Sequence, residues 1–68
     1  MTYSIEIDRE TDGRWIAEVP GLPGVLAYGA TRMEATARVQ ALALRVVADR
    51  LEHGELSPEF ATITFAAA

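Results

Sequence analysis

Between Arg32 and His53 the chain carries no glycine or proline, alanine and leucine dominate, and residues that start and stop helices stand at both ends. Thr31 with Glu34 three positions on has the spacing of a capping box, in which the threonine oxygen accepts the Glu34 amide and the carboxylate returns to the Thr31 amide. Gly54 follows as a left-handed stop. A helix of about six turns is therefore expected. In a chain of 68 residues it leaves room only for short extended segments around it.

Those segments alternate with a period of two. Tyr3, Ile5 and Ile7 are set against Ser4, Glu6 and Asp8 in a first strand over Tyr3 to Arg9. Asp12-Gly13 tolerates positive φ and turns the chain into a second strand, Arg14 to Val19, with Trp15, Ala17 and Val19 on one face. Pro20-Gly21-Leu22-Pro23-Gly24 ends the hairpin in a shaped loop, because prolines lack the amide donor. Val25 to Tyr28 is a short apolar run suited to a third strand, and Phe60 to Phe65 alternates again as a fourth, before an Ala66-Ala67-Ala68 end expected to fray. The expected fold is a single α+β domain over residues 1–68: an antiparallel sheet of three to four strands with one helix on one face, in the order β-β-β-α-β.

A core of this size leaves the balance of burial against chain entropy near zero. With no cysteine and one histidine, disulfides and a structural zinc are not expected to make up the difference, and no cofactor is expected. Self-association or a partner is the remaining common remedy. On a helical wheel Glu34, Arg38, Arg45, Asp49 and Glu52 share a sector of about 60° that is plainly solvated. Met33, Ala37, Leu44, Val47, Ala48 and Leu51 make one apolar side, and Val39, Leu42 and Val46 lie well round the cylinder from Leu44 and Leu51. Either the sheet curls to cover this second stripe with its last strand, or Val39, Leu42 and Val46 form a homodimer or partner contact.

The net charge of −4 repels polyphosphate and attracts basic surfaces, so direct DNA binding by this chain alone is not expected. The N-terminal residues lack the charged start and apolar run of a signal peptide, and no stretch reaches the roughly 20 apolar residues of a membrane span. Both point to the cytoplasm.

Pro20-Gly21-Leu22-Pro23-Gly24, then Gly29-Ala30-Thr31, then Glu34-Ala35 in the first helical turn resemble the Pro-x-Leu-Pro-Gly…Gly-x-Thr-x-x-Glu-Ala signature of HicB-like domains. The preceding hairpin with Asp12-Gly13 and Trp15 fits as well, so the likeness covers essentially the whole chain. Where the family commonly has cysteine after Pro-Gly, this chain has Val25. The resemblance implies a truncated ribonuclease-H-like fold without nuclease chemistry, acting as the antitoxin of a type II toxin–antitoxin pair. Its implied partner is a small basic HicA-like endoribonuclease. Many members add a DNA-binding segment, whereas this chain ends at the fourth strand.

Leu22 is either an anchor presented to a partner or a plug at one end of the sheet. Asp8, Glu10, Asp12 and Glu18 are either a solvated face or part of a negative surface that meets a basic toxin. A two-metal reading of these carboxylates, which a ribonuclease-H-like fold invites, is disfavoured because most of them sit in or beside an exposed turn. His53 is read as a cap on the helix C-terminus. No serine or threonine has a plausible nearby base, so no catalysis is expected. Two classes stay open: a sequestering antitoxin, and an orphan binding or structural module that only self-associates.

Overall fold

The computed structural model describes residues 1–57 and 62–67. Its elements are β1 (Thr2–Arg9), β2 (Trp15–Glu18), β3 (Leu26–Gly29), α1 (Arg32–Glu52) and β4 (Thr64–Ala67). The strands form one four-stranded sheet in the order β3-β2-β1-β4, with α1 packed on one face. The α+β class and the order β-β-β-α-β are those expected.

The hairpin closes as its residues dictate. Gly13 adopts φ +92°, its amide bonds the Glu10 carbonyl at 3.0 Å, and the Glu10 amide bonds the Arg14 carbonyl at 2.7 Å. Asp12 accepts the Arg14 amide at 3.0 Å, the local bond that makes aspartate a turn residue. Ile7 then lies opposite Ala17, and Glu6 opposite Glu18, so the alternating pattern is carried across both strands. β2 pairs antiparallel with β3.

One pairing departs from expectation: β4 runs parallel to β1, with Tyr3 opposite Phe65 and Ile5 opposite Ala67. The sheet is mixed, not wholly antiparallel. Three successive strands and a returning helix reverse the chain four times, so β4 sets off in the direction of β1. The strand also begins and ends later than the local pattern suggests. Ala66 and Ala67 belong to it, because the register places them opposite Ser4 and Ile5. Phe60 and Ala61, expected within this strand, lie outside the described residues.

α1 is capped at both ends. Thr31 Oγ1 accepts the Glu34 amide at 3.1 Å, and the Glu34 carboxylate reaches back to the Ala30 amide at 3.5 Å, one residue earlier than the expected Thr31. At the other end Gly54 takes φ +71°, its amide bonds the Leu51 carbonyl at 3.3 Å, and the Glu55 amide bonds the Arg50 carbonyl at 2.8 Å. This is a Schellman closure. Removing the N-cap hydroxyl with Thr31→Ala should cost about 1 kcal/mol. In a domain this small that lowers Tm by about 4–8 °C, readable by circular dichroism.

The core joins Ile5, Ala17, Val19, Leu22 and Val25 to Ala35, Val39, Ala43 and Val47, the last four spaced one turn apart along α1. The inward side of the helix thus takes Val39 from one apolar stripe and Val47 from the other. Val39 is fully buried, and Leu42 and Val46 pack against the core, so of the two readings of this stripe, self-association or cover by the chain's own sheet, the structure shows it facing the sheet. Met33, Leu44 and Leu51 are instead exposed, Met33 by 82%. The physical reason is the approach of helix to sheet. A Cβ on Gly29 would overlap the Ala35 amide nitrogen and lie 3.0 Å from both Ala35 Cα and the Glu34 carbonyl carbon. A helix seated that closely presents small and β-branched side chains inward and turns its long ones out. One turn on, Arg38 pairs with Glu34 at 2.8 Å and donates to the Tyr28 carbonyl at 3.0 Å.

Candidate functional site

Among the described residues every buried side chain is apolar, which puts polar chemistry at the surface. The helix covers the sheet face that carries Ile5, Ile7, Ala17 and Val19; the opposite face is open. Cross-strand partners share a face, so Glu6 with Glu18, Asp8 with Ile16, Ile16 with Tyr28 and Glu18 with Leu26 all belong to the open one. Glu6, Asp8, Ile16 and Glu18 line a shallow depression there together with Ile7. Beside it Leu26 and Tyr28 are 39% and 37% exposed, on β3.

The electrostatics of this face are one-sided. Glu6 and Glu18 stand directly opposite one another, a like-charge placement that disfavours the strand pairing. Among the described residues no arginine forms an ion pair with Glu6, Asp8 or Glu18. Asp8 accepts the neighbouring Arg9 amide, at 2.8 Å. Arg14 stacks over the Tyr28 ring at 4.5 Å and is held by Asp12 at 2.8 Å. What results is a negative patch bordered by an apolar and aromatic strip.

The residues singled out from the sequence divide accordingly. Asp8 and Glu18 lie on the open face, and Glu6 joins them. Glu6 was missed because the acidic group was gathered around the turn, although its alternation with Ile5 and Ile7 already placed it beside Asp8. Asp12 serves the turn instead. Its carboxyl titrates below the ordinary aspartate range, chiefly because it accepts the Arg14 amide, with the Arg14 side chain adding to the effect. Glu10 is half-buried at the same hairpin end. Leu22 is 1% exposed and cannot be an anchor presented to a partner; it is the plug. The Val19 and Leu22 carbonyls accept the Leu22 and Val25 amides at 3.0 Å each, so the loop folds the side chain under the sheet. Pro20, Pro23 and Gly24, the last at φ +84°, shape that loop, and Gly29, Thr31 and Glu34 seat and cap the helix. His53 sits at the helix end as expected, its Nδ1 2.7 Å from the Asp49 carbonyl.

Among the described residues no helix is long and apolar enough to cross a membrane. The chain is similar to the UPF0150 protein Ta0767 of Thermoplasma acidophilum, being 29% identical over 58 residues that make up 85% of this chain and 84% of that protein. No family model and no solved structure matches it.

Proposed function

We propose that this chain is a non-catalytic, HicB-like protein-binding domain of the cytoplasm that acts as an antitoxin, sequestering a small basic HicA-like endoribonuclease on its open sheet face. The observation that carries the proposal is the trio Glu6, Asp8 and Glu18, without basic partners among the described residues, beside exposed Leu26 and Tyr28. A face that sets like charges opposite each other within its own fold gains when a cationic surface covers it. The signature around Pro20 to Ala35 and the similarity to a UPF0150 protein along most of both chains support the same reading.

Inhibition on this reading is by occlusion. Carboxylates at the rim act mainly on the rate of approach, and desolvated anchors mainly on the rate of departure. Glu6→Gln with Glu18→Gln should slow association with a basic toxin by about tenfold at low salt and flatten its salt dependence. Both substitutions relieve repulsion within the sheet, so slower binding could not be blamed on unfolding. Tyr28→Ala should speed dissociation, at a cost of about 2 kcal/mol in affinity. Stopped-flow kinetics with a small basic HicA-like toxin tests both. A toxin that stays active when saturated with this domain would sink the proposal.

A second reading, a self-associating module without a toxin, is favoured by the outward Met33, Leu44 and Leu51 on α1. It too accounts for a small core needing a partner. Light scattering separates the two: on this second reading a dimer forms without toxin and dissociates with Met33→Glu and Leu44→Glu.

A further inference from the structure

The last turn of α1 assembles a donor set of another kind. Asp49 and His53 are four residues apart and so project from the same side of the helix. The Schellman closure at Gly54 then reverses the chain, and the bond from the Glu55 amide to the Arg50 carbonyl, 2.8 Å, holds Glu55 against that turn. One ligand atom from each of Asp49, His53 and Glu55 lies within 4.8 Å of the other two. His53 Nδ1 and Asp49 Oδ1 are 3.3 Å apart. Two donors each bound at about 2.1 Å to one ion are separated by roughly 3.0–3.4 Å, so this pair already has the bite of a chelate. Glu55 is exposed and free to swing the remaining distance.

We propose that Asp49, His53 and Glu55 form a surface site for a divalent transition-metal ion of the zinc or nickel type. One imidazole nitrogen and two carboxylates form a mixed set that suits such ions better than the all-oxygen shells of calcium or magnesium. The negative end of the helix dipole lies at the same place and favours a cation. All three side chains are exposed, leaving the other coordination positions to water. The ion would exchange the capping bond of His53 Nδ1 for a metal–nitrogen bond and tie the helix end to the residue beyond it.

His53 is the single histidine of the chain and there is no cysteine, so one imidazole reports the event without ambiguity. The test is titration of the untagged full chain with zinc(II) and with nickel(II), by calorimetry and by the imidazole proton resonances. One-to-one binding is expected, with each of His53→Ala, Asp49→Asn and Glu55→Gln weakening it on the order of tenfold or more. Asp49→Asn and Glu55→Gln keep both the imidazole and the backbone carbonyl that caps it, so they separate loss of a ligand from loss of the cap. The inference is overturned if wild type binds zinc(II) no more tightly than His53→Ala. It is equally overturned if Asp49→Asn and Glu55→Gln both bind like wild type, since a lone imidazole would then account for the signal.

Discussion

Gly29→Ala is expected to destabilise the domain by about 2–3 kcal/mol, the range seen when a packed contact is overfilled. A domain of this length has only about 3–10 kcal/mol in total, and Tm should fall by about 10–20 °C. The three atoms nearest the added methyl are all helix backbone, the Ala35 amide nitrogen and α-carbon and the Glu34 carbonyl carbon, so no side-chain rotation relieves the overlap. Helix and β3 must part, and the core residues Ala35 and Val39 move with them. Gly24→Ala is the control. Gly24 has open space around it but φ +84°, so the cost there is backbone strain alone, about 1–2 kcal/mol. Chemical denaturation of the two variants side by side checks the ordering. A Gly29→Ala protein within about 0.5 kcal/mol of wild type would mean the helix is not seated on this residue.

The second large effect is expected at Leu22. Cutting a fully buried leucine to alanine removes its burial and leaves a void, together about 2–4 kcal/mol. The loss appears in the stability of the free domain. Leu26→Ala, on the open face, should leave stability nearly unchanged and act on partner dissociation instead. Denaturation and binding measured on the same two variants tell a plug from an anchor. A Leu22→Ala domain as stable as wild type, with faster partner dissociation, would restore the anchor.

Much of this architecture can be read from local chemistry. Asp12-Gly13 between two alternating runs specifies the hairpin, and Thr31, Glu34 and Gly54 mark both ends of the helix, because turns and caps are settled by residues a few positions apart. Two features escaped that reading. A helical wheel gives the angle between apolar stripes but not which stripe meets the sheet; that depends on how close the axes come. Gly29 and the small Ala35 and Ala43 were the available signal, since only a close seam needs them. The place of β4 depends on pairing with a strand some sixty residues away, which no local alternation encodes. Parity did encode its direction, because four reversals return the chain to its starting sense. The open face was legible in part. Asp8 and Glu18 follow from alternation, but the neighbourhood of Glu6 with Glu18 needs the register, and Leu22 could be told from an anchor only by its burial.

The Arg38 side chain has a consequence for how molecules of this protein behave in a crowd. β3 is an outer strand, and such a strand offers bare amides and carbonyls to any extended segment that drifts past, a common first step in aggregation. The Tyr28 carbonyl is already taken by the Arg38 guanidinium, which also brings its ion pair with Glu34 to that border. A stray segment would have to displace it and bury or break that ion pair. Runaway stacking of sheets is discouraged on this side, and the strand most open to it is β4, at the opposite border.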